Sequence, residues 1–359
     1  MRRWLRNWVL ALLPLTVVSF VVALRFPDAT ESLYSQSAYP WVARAFASVN
    51  RVTFSLAEIF ALVGLAAGLA VIFRIWRGRD RRWARTFSFA ASSAASLVVL
   101  FFLLWGFNYA RPSLATRSAL SANDVDAAAV ISAGTRAAEL ASSLYQTLET
   151  QQAAPSVIPF TFEALNRELD AAFEQLKLPG DPIDFEPTPV KPLSSSLLWS
   201  YLGISGIFIP FTGEPSVNVL QPDAALPIVI AHEKAHQRGV THEGEANFAA
   251  FLACAQESSP PYLRYAAYLF ATRYLLGEAS SYLPQSDLEQ AWAHLDEGPT
   301  RDVRAIHEFW RRYEGPASRA ASRANDHYLK TLQVPGGAES YGTVVQLLMA
   351  LDARGKLFQ

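Results

Sequence analysis

Two histidines four positions apart, with a glutamate directly after the first, occur once in the chain, in His232-Glu233-Lys234-Ala235-His236. On a helix such histidines stand one turn apart on one face, so both imidazoles can bind a single zinc ion while Glu233 projects beside it. Zinc polarises a carbonyl and lowers the pKa of a bound water to about 7, so an ordinary carboxylate suffices to take that water's proton. The local sequence favours the helix. Pro227 suits its first turn, Ile228, Val229 and Ile230 carry it toward Arg238, and Gly239 can close it in a left-handed cap.

Catalytic zinc takes three protein ligands, and two neighbours compete for the third place. His242 completes HExxHxxGxxH, which resembles the metzincin peptidase pattern, in which the glycine turns the chain so that the last histidine reaches the metal. Arg238 stands where that pattern has a bulky apolar residue, and Met349 lies in an apolar helix rather than in a Met-turn. The other candidate is Glu243, which opens a second helix running through Phe251 to Cys254. Glu243, Ala246 and Asn247 share one face of it, placing a carboxylate, a small residue and an amide toward the first helix. Glu245 falls about 200° away on the same wheel and is the weaker ligand. This second arrangement resembles the gluzincin pattern, in which a downstream helix bearing ExxA and then Asp or Asn supplies the third ligand.

The rest of the chain must place this motif. Of 359 residues, 51% are hydrophobic and 18% charged, a balance that leans toward a membrane anchor joined to a folded domain. A net charge of -1 lacks the basic footprint of a nucleic-acid binder, and that class is set aside. The single cysteine, Cys254, cannot form an internal disulfide and reads as core.

Three apolar runs predict transmembrane helices near residues 8–24, 54–73 and 87–107. The first follows Arg2, Arg3 and Arg6 but is followed by no small-x-small cleavage site, which favours a retained helix over a signal peptide. In the second, Glu58 sits near the start, and Gly64 and Gly68 form a small-residue face for a close helix neighbour. The third ends in Trp105, Asn108, Tyr109 and Arg111-Pro112, an aromatic belt and a helix stop. Arg74 to Arg85 carries six arginines against Asp80, predicting a cytoplasmic loop. The loop from Arg25 to Val52 and everything beyond Pro112 then fall outside. Residues 1–112 read as the anchor and 113–359 as an extracytoplasmic domain.

Within that domain, helices are predicted from Ser121-Ala122-Asn123-Asp124 to Glu149, over Thr161 to Leu176, Pro261 to Ala279 and Asp302 to Arg312, and to Leu351 at the end. Residues 178–182 and 187–192 read as loops. Gly203 to Leu220 reads as a hairpin turning at Thr212-Gly213-Glu214-Pro215, placed to pair with an extended substrate beside the motif helix. His327, Tyr328 and Tyr341 are loop candidates for stabilising an oxyanion; His294 and His307 read as surface or core residues.

The chain as a whole also resembles a family of uncharacterised bacterial membrane proteins with a gluzincin-like zinc-peptidase domain. The residues that carry this are Leu104 to Pro112, Gly206 to Asn218, Ala231 to Gly239, Glu243 to Asn247, Asn325 to Lys330 and Ser340-Tyr341-Gly342. The resemblance implies His232, His236 and Glu243 as zinc ligands and Glu233 as the base, favouring Glu243 over His242. The expectation is a mainly α protein: three transmembrane helices, then an α-rich zincin-like (α+β) extracytoplasmic domain with a small β-hairpin. It would hydrolyse a peptide or protein substrate outside the cytoplasmic membrane. The rival is a non-enzymatic envelope scaffold with a structural zinc, which would be closed by a fourth protein ligand. An intramembrane hydrolase is disfavoured because the motif lies far beyond the last apolar run.

Overall fold

The computed structural model describes residues 2–78, 82–120, 126–148, 154–181, 185–332 and 341–358. The protein is mainly helical, with 72% of its residues in helices and few in strands. It divides into two units.

The first unit holds residues 1–112, 182–188 and 209–214. Helix α1 (Arg2–Ala23) is followed by a sharply bent segment made of α2 (Pro27–Thr30), a π-helical stretch (Glu31–Ala38) and α3 (Tyr39–Val49). Then come α4 (Leu56–Arg77) and α5 (Arg82–Leu104), each long and apolar enough to cross a membrane. A third crossing results if Ala11–Ala23 and Pro27–Val49, bent by 116°, form one span. Along α4, Phe60, Leu62, Val63, Leu65 and Leu69 are all exposed, an apolar surface of the kind a membrane-crossing helix turns to lipid. Its amino end is closed by Ser55, whose Oγ accepts from the Glu58 amide, and by buried Glu214, whose carboxylate accepts from the Leu56 and Ala57 amides.

Three sequence expectations change here. The Arg25–Val52 loop is largely helical. Most of the arginine-rich loop belongs to the ends of α4 and α5, with residues 79–81 outside the described residues. Gly64 and Gly68 meet no neighbouring helix among the described residues, since a Cβ at either would touch nothing there within 4 Å.

The second unit holds residues 113–181, 189–208 and 215–359. After the short α6 (Leu114–Arg117), its centre is α7 (Ala127–Gln146). The predicted helix start at residues 121–124 lies outside the described residues; the observed cap is Asp126. Ala133, Ala137, Ala138 and Ala141 are almost wholly buried, and a Cβ at Gly134 would lie 2.5 Å from Leu276, so the alanine-rich sequence serves close helix packing. Next come α8 (Phe162–Leu176), capped by Thr161, then β1 (Lys191–Pro192), α9 (Ser196–Leu202), β2 (Gly206–Ile209) and β3 (Glu214–Val217). The sheet order is β1-β3-β2, with β1 parallel to β3. The hairpin is therefore present, but its turn is residues 210–213, two positions earlier than expected. Gly213 takes the left-handed φ of +65° that the turn demands, and Glu214 and Pro215 enter the strand.

The remaining elements are helical: α10 (Leu226–Gln237), α11 (Glu243–Ala255), α12 (Pro261–Ala279), α13 (Gln285–Trp292), α14 (Glu297–Tyr313), α15 (Pro316–Thr331) and α16 (Tyr341–Asp352). Asn325 to Lys330, expected in a loop, lies inside α15. Pro316 starts that helix, alanines sustain it, and an i,i+4 pair from Lys330 to Asp326 supports its last turn.

A candidate metal centre

The helix α10 and the cap that ends it are those the sequence predicts: Pro227 lies in the first turn, and Gly239 is left-handed at φ +77°. After the turn, α11 begins with Glu243 in its first position and packs against α10. The back of α10 is fixed by two cations one turn apart. Lys234, wholly buried, donates to Asp170 Oδ1 at 2.6 Å, and the Arg238 guanidinium lies 4.4 Å from the centre of the Phe173 ring. Both partners are on α8. Arg238, the residue that departs from the metzincin pattern, is thus part of this helix contact.

The opposite face carries the histidines. Their rings lie 4.6 Å apart and nearly perpendicular. Nε2 of His232 is 3.2 Å from Oε2 of Glu243, and Nε2 of His236 is 3.7 Å from Oε1 of the same carboxylate. One ligand atom from each of the three residues lies within 4.8 Å of the others. The far nitrogens are both anchored, His232 Nδ1 to Asn247 Oδ1 at 2.8 Å and His236 Nδ1 to the Val240 carbonyl at 2.7 Å. An oxygen acceptor at Nδ1 holds a proton there, so that in the neutral ring Nε2 is the nitrogen that offers a lone pair to a metal, the arrangement by which metal-binding histidines are oriented. Zinc bonds of about 2.0–2.1 Å in a tetrahedron separate ligand atoms by about 3.4 Å, so this donor set fits zinc with small shifts.

Electrostatics couple the three groups. Burial opposes charge on the Glu243 carboxylate, but the facing histidines outweigh it and hold its pKa well below the usual carboxylate range. Burial likewise opposes the imidazolium of His236, and the Glu243 charge overcomes it, raising the pKa to about 9. A histidine and a carboxylate coupled in this way, with a second imidazole beside them, are suited to a shared cation. The Glu243 side chain is 31% exposed, against 9% for His236, so the group opens to solvent on the carboxylate side.

Glu233 stands apart from the ligand set. It is 3% exposed, and among the described residues its Oε2 has no hydrogen-bond partner. Burial, offset in part by the two histidines, pushes its pKa up to about 7, in the range suited to a general base. Its carboxylate lies directly against Gly206, the first residue of β2, where a Cβ would come within 2.5 Å of Oε1. Only glycine fits there. Gly206→Ala should displace Glu233 while sparing His232, His236 and Glu243, leaving the affinity for added zinc nearly unchanged in a metal titration. Asn247→Ala, which frees His232 Nδ1, should instead weaken zinc binding by roughly 10- to 100-fold in a competitive chelator titration.

The other sequence candidates lie elsewhere. The His242 ring sits 3.4 Å from Thr241 Oγ1 and 3.8 Å from Glu245, outside the group. Glu245 itself is buried and accepts from the Ala115 amide at 3.0 Å. His327 and Tyr328 are exposed on α15, and the Tyr341 side chain lies outside the described residues. His294 pairs with Glu139 at the surface, and His307 lines a separate cavity of about 410 Å³ with Arg273 and Trp292. Three contributors were missed: the Val240 carbonyl, which no side-chain pattern encodes, Asp170, distant in sequence, and Gly206, whose neighbour is revealed only by the fold.

No curated protein and no solved structure matches the chain. The family model described as "Protein of unknown function (DUF3810)" matches residues 34–349, which include both the apolar helices and the His/Glu group, and the chain belongs to that family.

Proposed function

We propose that the protein is a membrane-anchored zinc-dependent hydrolase, in its most concrete form a metallopeptidase, with His232, His236 and Glu243 as ligands and Glu233 as general base. The observation that carries this reading is the convergence of two Nδ1-anchored histidines on one carboxylate. Bound there, zinc supplies a Lewis acid for the scissile carbonyl and acidifies water. Glu233, buried beside the ligands and with a free carboxylate oxygen, is placed to accept a proton. His242 outside the group leaves three protein ligands, the open set that catalysis requires, and this supports the hydrolase over a scaffold with a closed structural site. The substrate class we assign is a peptide or protein.

The catalytic portion acts outside the cytoplasmic membrane. The support is the arginine-rich end shared by α4 and α5, which the positive-inside rule assigns to the cytoplasm. A reporter enzyme fused after Gln359 should be active only on the outer side; activity confined to the cytoplasm would overturn this topology. The functional reading itself is tested on the full-length chain in detergent. One zinc per chain, lost together with peptide cleavage on chelation and regained with it on zinc addition, is expected. A chain that cannot bind zinc would refute it.

A further inference from the structure

The segment Pro27–Val49 in the first unit turns away from α1 by 116° and carries two opposite stripes. Ser35, Tyr39, Ala43 and Ala47, spaced by four, are buried. Leu33, Ser37, Trp41, Ala45 and Val49, offset by two residues and hence by about 200°, are exposed, Leu33 by 73%, Trp41 by 70% and Val49 by 68%. The segment is pinned at one level. The Tyr34 hydroxyl donates to the Phe102 and Leu103 carbonyls in the last turn of α5. Glu31 accepts a two-pronged bond from Arg111, both distances 2.7 Å, just beyond that helix end, and Ser35 donates to Asn108. These partners, Phe102, Leu103, Asn108 and Arg111, lie in and on either side of the aromatic-rich stretch Trp105–Tyr109 that closes a membrane-crossing helix, where a bilayer's headgroup region lies.

We propose that Pro27–Val49 is an in-plane interfacial helix whose exposed stripe is covered by lipid at the headgroup boundary. It is not the second half of a bent span. From Trp8 to Leu24 the chain carries no charge, a run about long enough to cross a bilayer without the segment that follows. Asp28, Glu31, Gln36 and Arg44 would be costly in the acyl core, whereas an interface accepts them. Leu33, Trp41 and Val49 would be costly in water. Arg44 lies over the Trp41 ring at 5.1 Å, joining the cation to an interfacial aromatic. The same segment and the start of α4 hold the turn of the hairpin. Asn50 donates to the Thr212 carbonyl at 3.3 Å, and Glu214 accepts from Ser55 Oγ at 3.0 Å. The in-plane helix therefore also fixes residues 212–214 at the bilayer surface.

The experiment is spin-label depth measurement by oxygen and nickel-chelate accessibility, on the full chain reconstituted in phosphatidylcholine/phosphatidylglycerol vesicles. Labels on Leu33→Cys, Trp41→Cys and Val49→Cys sit on the exposed stripe, and Cys254, buried, stays unlabelled. Leu62→Cys and Leu69→Cys on α4 calibrate depth, being about 10 Å apart along a crossing helix. The expected result is one shared shallow depth for positions 33, 41 and 49, near the phosphates. A progressive change approaching about 24 Å from position 33 to 49 would establish a span or re-entrant segment and overturn the proposal. Fully aqueous accessibility at all three would overturn it equally, by removing the lipid.

Discussion

Glu233→Gln is expected to leave zinc bound at full stoichiometry while lowering peptide turnover by roughly 10²- to 10⁴-fold, the range that a positioned general base contributes. Glu233 touches neither histidine's ligand nitrogen in the set formed with Glu243, so neutralising it removes no donor. The amide is nearly isosteric, which matters beside Gly206, where added bulk has no room. What it cannot do is take a proton. Glu233 is a buried carboxylate whose second oxygen has no partner among the described residues, a costly arrangement for mere packing and a useful one for a base. The measurement pairs metal analysis with initial rates on the same preparation. Loss of zinc along with activity would make Glu233 a structural contributor, and unchanged activity would remove it from the chemistry.

Glu243→Ala is expected to abolish stoichiometric zinc binding, whereas His242→Ala keeps it. Glu243 faces both Nε2 atoms, at 3.2 and 3.7 Å, and supplies the only negative charge in the ligand group. Its removal leaves two histidines and no third donor. His242 is turned toward Thr241 and Glu245, and its loss disturbs only those contacts. Bound metal also stabilises the fold in proportion to its affinity, so chelation should lower the melting temperature of wild type and His242→Ala but leave Glu243→Ala unmoved. The reverse pattern, zinc retained without Glu243 and lost without His242, would hand the third place to the histidine.

How much of this was legible in advance follows from the range of the interactions concerned. The motif helix, its proline start and its glycine end are set by neighbours in sequence, and they match. The preference for Glu243 over His242 rests on the family resemblance, and helix phase sets Glu243 apart from Glu245. Once α11 starts at Glu243, that side chain and Asn247 face α10 together, as their i,i+4 spacing requires. The contacts missed are of another kind. Asp170 reaches Lys234 from 64 positions away, and Gly206, at the start of β2, meets Glu233 of α10 only through the fold. Neither leaves a periodic trace. The segment Pro27–Val49 looked like a loop because its apolar and polar residues alternate on two faces that no membrane-span window separates. Asn325 to Lys330 looked like a loop because polar residues dominate an exposed helix as readily as a turn. The hairpin was recognised from its β-branched residues, but its turn slipped by two, since Glu214 spends its charge on the start of α4 rather than on the bend.

The central claim is that this chain hydrolyses peptide bonds with zinc held by His232, His236 and Glu243. It is tested most directly by incubating the zinc-loaded full-length protein and its Glu233→Gln counterpart with a diverse peptide library and sequencing the new termini by mass spectrometry. The account predicts a reproducible set of new termini from wild type, suppressed by chelation and absent with Glu233→Gln. Identical profiles from the two proteins, with zinc bound in both, would contradict it.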